Sequence, residues 1–331
     1  MRPLSQLCLI IILLVLLFQS CKQGHPVDKK EAVNSIKILN SDIISFIYRT
    51  SGRPEMKALG FLLKQPSAPI PFHYDSSGGL ANIKTFSFEA NRGVYRWDTL
   101  AKSFIKTKDT SLILIFFPIP GDPASECRFI LYNYVIGKTR TKPVFPVKLN
   151  ASLFIGDKEE ITIRHEAVIN ESMIASMETE LKNDSAGLSF YMSRTGSFAA
   201  KTGEIKASLR LHEGKSDIMN STLKCEIEYH APISYSFSHM SIEQTLFSTE
   251  LSGTIDYASI NPSSDQYNQE FNKYTHLELL NSEDHGIIGK IVLSPVGEDG
   301  RYDYFIRFSD GSESRLTEQF IVLNKLFNKI N

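Results

Sequence analysis

Two short motifs match the spacing used by penicillin-recognising serine enzymes. Ser103-Phe104-Ile105-Lys106 fits Ser-x-x-Lys, and Lys201-Thr202-Gly203 fits Lys-Thr-Gly in the same order along the chain. That chemistry needs the lysine one helical turn after the serine, whereas residues 103–106 lie between strand-like runs. No Ser-x-Asn or Tyr-x-Asn motif separates the two, and no Gly-x-Ser-x-Gly occurs. We therefore predict no serine hydrolase.

Paired carboxylates offer a second chemistry. Glu226 and Glu228 are two residues apart in a strand-like run and share a face with Lys224 and His230. Side chains at this spacing stand about 6 to 7 Å apart, which suits the acid and base of a glycosidase. A solvated sheet face explains the same alternation more simply. We favour the solvated face and keep glycan hydrolysis as an alternative.

One aromatic pair is a candidate for ligand binding. Tyr95 and Trp97 lie on one side of a strand-like run and form a candidate ligand-facing pair, because aromatic rings stack against sugars; core packing is the alternative.

The eight histidines show no His-x-x-x-His spacing, and no paired-cysteine motif occurs. The acidic turn at 297–303 lacks the alternating ligands of a calcium loop. We predict no metal site and no other cofactor.

The N-terminal residues have the layout of a secretory signal peptide. Arg2 precedes twelve consecutive apolar or cysteine residues, Leu7 to Phe18, and small Ser20 comes before the chain turns polar. As a helix the apolar stretch is about 18 Å long, whereas crossing a bilayer core takes about 20 residues. We predict a signal peptide at residues 1–20, and a buried helix is the alternative.

Leu17-Phe18-Gln19-Ser20-Cys21 resembles the lipobox of bacterial lipoproteins, and Ser20-Cys21-Lys22 is similar to the Bacteroidota form. Phe18 stands where leucine is usual. The resemblance implies cleavage between Ser20 and Cys21 and attachment of diacylglycerol and a further acyl chain, such as palmitate, to Cys21. The membrane is then a partner through these chains, and residues 21–30 form a tether. No acidic cluster follows Cys21, which favours an outer-membrane lipoprotein facing the periplasm.

Two further cysteines, Cys127 and Cys225, both lie in strand-like runs. Two is the number needed for one disulfide in an oxidising compartment. Nothing in the sequence brings these positions together, so we favour two separate buried thiols and keep the disulfide as the alternative.

Composition limits the class of protein. The 331 residues are 42% hydrophobic and 22% charged, as in ordinary globular chains, and the formal net charge is −1. A near-neutral chain lacks the electrostatic attraction that binding to a phosphate backbone needs, so no nucleic-acid partner is predicted.

Hydrophobic periodicity predicts an α+β fold that is mainly β. Apolar spacing of three and four predicts helices over residues 31–48 and 54–63, a helical hairpin, and over 317–330 at the C-terminal end. Strand-like runs follow the hairpin, among them 83–89, 93–98, 102–106 and a central strand at 111–118. Basic residues and prolines at 137–146 interrupt the pattern, so we divide the mature chain into a helix-plus-sheet region, 31–142, and a long-stranded region, 143–331.

The second region contains long alternations typical of curved antiparallel sheets. The run at 237–257 exceeds ordinary strand length and changes phase, so we predict a bulge near 247–252. Similar hairpins are predicted where "ASL" recurs, at 150–161 and 206–218, and Asp-Gly turns predict a terminal hairpin around 302–308.

Asn91 to Trp97, Phe117-Pro118 and the terminal hairpin and helix resemble a group of Bacteroidota-type lipoproteins without an assigned activity. The resemblance implies a location and a mostly β architecture. A long curved sheet under short helices often leaves a concave surface, so we expect a non-enzymatic binding module for a lipid or other apolar envelope ligand. An envelope scaffold or protein-interaction subunit is the alternative.

Overall fold

A computed structural model describes most of the chain outside its two ends, namely residues 25–74, 80–81, 86–138, 145–170, 173–197, 199–230, 234–297 and 301–320. The predicted signal peptide, Ser20 and Cys21 lie outside these residues. So do the Asp-Gly turn at 299–300 and most of the predicted C-terminal helix.

The described residues form a mainly β fold, as predicted. The helices are α1 (Lys29–Ser51), α2 (Pro54–Leu63), α3 (Phe88–Asn91), α4 (Tyr267–Tyr274) and α5 (Leu316–Gln319). The first nine strands are β1 (His73–Tyr74), β2 (Leu80–Ala81), β3 (Gly93–Asp98), β4 (Ser103–Lys108), β5 (Ile113–Ile119), β6 (Asp122–Gly137), β7 (Phe145–Ile155), β8 (Lys158–Asn170) and β9 (Met173–Lys182). The others are β10 (Ala186–Gly196), β11 (Thr202–Glu213), β12 (Ser216–His230), β13 (Ser234–Leu246), β14 (Thr249–Asp256), β15 (Thr275–Asn281), β16 (Ile287–Val296), β17 (Arg301–Arg307) and β18 (Glu313–Arg315).

Helices α1 and α2 confirm the two predicted N-terminal helices. Residues at spacings of three and four form the buried stripe of α1, namely Ala32, Ile36, Leu39 and Ile43. The Asp28 carboxylate accepts a hydrogen bond from the Glu31 N–H at 2.9 Å and so satisfies one of the unpaired donors of the first turn. Pro54 occupies the first turn of α2, where a missing N–H costs nothing.

The chain divides into two compact units. The first unit comprises residues 45–191, and the second comprises described residues 25–44 and 192–320. In the first unit the strand order is β4-β3-β5-β6-β7-β8-β9, and in the second it follows the chain from β11 to β18. The segment at 137–146, where the sequence suggested a boundary, connects β6 to β7, which pair from Gly137 opposite Phe145.

Strand β5 builds the core of the first unit. Its alternate residues Ile113, Ile115, Phe117 and Ile119 are buried. β5 lies between β3, to which it is parallel, and β6, to which it is antiparallel, so the predicted central position is confirmed. Phe61 from α2 stacks on Phe117 at a centroid distance of 5.7 Å, which fixes the helix on this face of the sheet.

The predicted long strand at 237–257 is two strands. A two-residue turn, Phe247-Ser248, joins β13 to β14, and Phe247 has a φ of 50°. Met240 lies opposite Ile255 across this hairpin. Partners across a two-residue turn have opposite parity, so the hairpin produces the phase change that the sequence analysis attributed to a bulge. The bulge prediction is therefore wrong.

Among the shorter predicted elements, one strand is wrong and the hairpins are confirmed. The predicted strand at 83–89 is wrong where it is described, because residues 88–91 form helix α3, whose Ala90 N–H donates to the Ser87 hydroxyl at 3.3 Å. The two "ASL" hairpins are confirmed, and each turns through a glycine, Gly156 or Gly214, with a φ of 59°. β16 and β17 pair as the terminal hairpin predicted.

The first described residues are docked on the second unit. The Val27 N–H donates to the Ile287 carbonyl at 3.1 Å, and the Ile287 N–H donates to the His25 carbonyl at 2.7 Å. Val27 is buried, and its carbonyl accepts the Ser309 hydroxyl at 2.6 Å. Residues 25–30, which the sequence analysis assigned to the tether, therefore belong to the second unit: 25–27 pair with the sheet and α1 begins at Lys29. None of the helices in the described ranges has the length and apolar character that a membrane span requires.

Candidate functional site: a polar groove

The sheet of the first unit carries a groove on the face opposite its apolar core. The groove lies on strands β6 to β9 and has a volume of about 720 Å³. Most of its lining is polar, and its polar side chains include Tyr132, Lys148, Asn150, Glu159, Arg164 and Glu166. We call this surface the polar groove.

The alternation of side chains along β7 and β8 determines which residues face the groove. In β7, Leu149, Ala151 and Leu153 are buried in the core, so the residues between them face the other way. The antiparallel register then places Lys148 opposite Glu166 and Asn150 opposite Arg164. Amide, guanidinium, ammonium and carboxylate groups therefore meet on neighbouring strands.

Strand β9 extends the same polar surface. Arg164 lies opposite Glu180, and Glu166 lies opposite Glu178. A second hollow of about 180 Å³ covers this side and shares Lys148, Asn150, Arg164 and Glu166 with the polar groove. The polar lining is thus continuous across β7, β8 and β9.

A β-bulge brings an aromatic ring to the polar groove. Leu131 pairs with Ala151 and Asn133 pairs with Asn150, so Tyr132 is the extra residue on β6. Leu131 and Tyr134 are both buried, which shows that the core phase shifts by one residue across the bulge. The Tyr132 side chain is 39% exposed and lines the groove.

Several polar groups of the groove have no partner in the described ranges of the chain. Among the described residues, no hydrogen bond or ion pair reaches the side chains of Lys148, Asn150, Arg164 or Glu166. By contrast, Lys182 at the rim pairs with Glu180 at 3.1 Å. These four groups are available to a ligand that both donates and accepts hydrogen bonds.

The histidine at the edge of the groove is held by hydrogen bonds to its neighbours. His165 borders the second hollow, but its Nδ1 lies 2.8 Å from the Thr179 hydroxyl and its Nε2 lies 3.0 Å from the Pro146 carbonyl. Both ring nitrogens are therefore engaged in holding strands together. The arrangement suits recognition of a polar molecule by hydrogen bonds.

Tyr95 and Trp97, the predicted ligand-facing pair, pack in the first unit. Tyr95 is 9% exposed, and its hydroxyl donates to the Asn91 carbonyl at 3.0 Å. The Trp97 ring meets Phe61 at a centroid distance of 5.0 Å and Phe104 at 5.1 Å. The structure therefore places these rings with the core cluster, and the polar groove uses neither.

Glu226 and Glu228 lie on the exposed face of β12, as the alternation indicated. Cys225, Ile227 and Tyr229 between and beside them are buried on the other face. The neighbouring Lys224 pairs with Glu204 of β11 at 2.9 Å. This is the solvated sheet face that the sequence analysis favoured, and neither the polar groove nor the hollow beside it includes these two carboxylates.

The serine-enzyme motifs do not assemble a site. Ser103 and Lys106 lie in strand β4, where residues three apart point to opposite faces. Lys106 instead pairs with Asp109 at 2.7 Å. Lys201 to Gly203 lie in the second unit at the start of β11. Within the ranges that the structure describes, no group of three or more histidine, cysteine, aspartate or glutamate residues is arranged to hold a metal ion.

Cys127 and Cys225 are free, buried thiols, so the structure has two separate thiols in place of the alternative disulfide. Each lies in a different unit, Cys127 in β6 and Cys225 in β12. Burial raises the pKa of Cys127 to about 11 and the pKa of Cys225 to about 12.

These thiols predict a loss of stability in alkali. The thiol of the unfolded chain has a pKa near 9.0, so unfolding between pH 9 and pH 12 releases a proton from Cys225. The contribution of the buried neutral thiol to stability is therefore complete below pH 9 and is lost as the pH rises towards 12. We expect the Cys225→Ala protein to lose about 1.3 kcal/mol less unfolding free energy than wild type between pH 8 and pH 10. Urea unfolding at both pH values measures the difference. An identical loss in both proteins would contradict this assignment.

Comparison with known proteins found no matching family model, no matching curated protein and no matching solved structure.

Proposed function

We propose that this protein is a non-enzymatic binding protein of the cell envelope, anchored to the membrane through acylated Cys21, and that its polar groove holds an oligosaccharide. The observation that carries the ligand class is the set of unpartnered amide, guanidinium and carboxylate groups beside the exposed ring of Tyr132. The resemblance of residues 17–21 to a lipobox supports the anchor.

Saccharides fit this lining better than lipids. Each sugar hydroxyl both donates and accepts, so it needs donors and acceptors side by side, as Asn150 and Arg164 provide beside Glu166. The apolar faces of sugar rings stack on aromatic side chains, a role for Tyr132. An apolar ligand would leave these polar groups desolvated and unpaired, which is costly. The groove thus favours a polar ligand over the lipid expected from the sequence.

Removal of Arg164 tests the proposal. We expect the full chain to bind at least one member of a panel of neutral and acidic tetrasaccharides, among them cellotetraose and tetragalacturonate, in isothermal titration calorimetry. Arg164→Ala should weaken that binding about 10- to 100-fold, because hydrogen bonds from a charged donor contribute about 1.5–3 kcal/mol.

The matched control is Arg210→Ala, which removes another exposed strand arginine, one that belongs to the second unit and pairs with Asp217. Its affinity should equal that of wild type. Absence of binding across the panel, or equal losses in the two variants, would overturn the proposed function.

A further inference from the structure

A row of alternating arginine and phenylalanine side chains crosses the sheet beside the polar groove. It consists of Arg96 on β3, Phe116 on β5, Arg128 on β6 and Phe154 on β7, and each is the direct cross-strand partner of the next. We call this row the arginine ladder. The neighbours of Phe116 and Arg128 along their strands are buried in the core, namely Ile115, Phe117, Cys127 and Phe129. Because side chains alternate along a strand, the arginine ladder lies on the opposite face, which is the face of the groove.

The two arginines of the ladder differ in their partners. The Arg96 guanidinium lies 4.3 Å from the centroid of Phe116 and donates to the Glu126 carboxylate at 2.8 Å. The Arg128 guanidinium lies 4.6 Å from the centroid of Phe154. Its Nε is buried without a hydrogen-bond partner, and within the described residues no carboxylate or carbonyl accepts from this side chain.

This difference marks Arg128 as a binding group. A ring stacked under a guanidinium orients it and attracts its charge, but supplies no acceptor for its N–H groups. A partly buried donor without an acceptor loses the hydrogen bonds it made to water. The ligand that restores them best is a carboxylate, since its two oxygens match the planar fork of a guanidinium.

Arg128 lies within reach of a ligand that occupies the groove. Phe154 beneath it is the cross-strand partner of Glu159, which lines the groove. Along β6, Arg128 is four residues from Tyr132, about 13 Å at the usual rise per residue. One ligand of several sugar units therefore spans from the Tyr132 ring to the arginine ladder.

We propose that Arg128 is the carboxylate-binding subsite of the polar groove and that the bound oligosaccharide carries a uronate unit at this end. The inference rests on the proposed function and narrows its substrate class. Glu166 lies further along the groove, opposite Lys148, so the acidic unit is favoured at the ladder and neutral hydroxyls are favoured beyond it.

The test compares tetragalacturonate with its fully methyl-esterified form, which keeps the shape of the chain and removes its charge. In calorimetry at fixed ionic strength, wild type should bind the acid about 10-fold or more tightly than the ester. Arg128→Met, which keeps an apolar stem over Phe154, should abolish this preference, because it weakens binding of the acid about 10-fold more than binding of the ester. Arg128→Lys keeps the charge without the fork and should retain part of the preference.

Arg96→Met is the matched control, since it removes the ladder arginine that already has a carboxylate partner. It should keep the full preference for the acid. Equal binding of acid and ester by wild type, or an undiminished preference in both Arg128 variants, would overturn the subsite and leave the proposed function standing. If neither form of tetragalacturonate binds, the subsite and a galacturonate-binding groove are both overturned. Binding of another oligosaccharide of the panel would then still support the proposed function, without the subsite.

Discussion

Gly253→Ala is expected to lower the free energy of unfolding of the second unit by about 3 kcal/mol or more, or to prevent its folding. Gly253 lies in the middle of β14, paired with Ile242 of β13 and Leu277 of β15. Its φ is 150°, and an added Cβ would overlap the carbonyl oxygen of His276. That oxygen belongs to the backbone of the neighbouring strand, so relief requires the strands to separate.

Urea unfolding followed by circular dichroism measures this effect, with Gly60→Ala as the matched control. Gly60 lies inside helix α2, and an added Cβ there meets nothing within 4 Å. The control should gain about 0.5–1 kcal/mol, because alanine loses less backbone entropy than glycine on entering a helix. A wild-type unfolding midpoint for Gly253→Ala would show that β14 and β15 do not approach as closely as the structure indicates.

Helices and strands with a regular spacing of apolar residues were predictable from the sequence. Chain reversals that lack the usual turn residues were not. The alternation of β5 and the apolar stripe of α1 each specify a buried face, and both elements formed as predicted. The Phe247-Ser248 turn has no glycine, asparagine or aspartate, so nothing local signalled a hairpin. The pairing of β13 with β14 buries Met240, Ile242, Leu251 and Ile255, and this gain offsets the positive φ of Phe247.

The polar groove was not predictable because it depends on register. Asn150, Arg164 and Glu180 each look like ordinary exposed strand residues along the chain. They become neighbours only through the pairing of β7, β8 and β9. Tyr132 joins them because of a bulge, whose position depends on how β6 meets β7.

A different ambiguity concerns Tyr95 and Trp97. Aromatic residues in an alternating strand are suited both to ligand stacking and to core packing, and sequence alone does not separate the two. Helix α2 decides the outcome, because its Phe61 covers Trp97. A residue 36 positions earlier in the chain thus converts a candidate binding surface into part of the core.

Cys21→Ala is expected to release the protein from the membrane completely. Each buried CH₂ of an acyl chain contributes about 0.8 kcal/mol, and two or more chains hold a protein firmly where one does not. Alanine cannot form the thioether, so the variant should move from the membrane fraction to the soluble fraction and should not incorporate labelled palmitate. Fractionation of expressing bacteria and mass spectrometry of the mature N-terminus measure both effects.

The control is Cys127→Ala, which removes a buried thiol from the first unit and should leave the protein in the membrane fraction. Membrane retention of Cys21→Ala would contradict lipidation at this residue.

The proposed anchor also predicts which surface of the second unit faces the bilayer. Cys21 is four residues before His25, whose carbonyl is bonded to Ile287, so an extended chain places the acylated residue within about 14 Å of this point. Single cysteines introduced at the exposed residues Glu283 and Asp310, near the docked segment, should therefore react with a lipid-borne maleimide faster than one introduced at Lys206 on the face of β11. The parent chain, without an introduced cysteine, gives the background rate. This rate should be low, because Cys127 and Cys225 are both buried. Equal rates at the three positions would mean that residues 21–24 do not hold the second unit at the membrane.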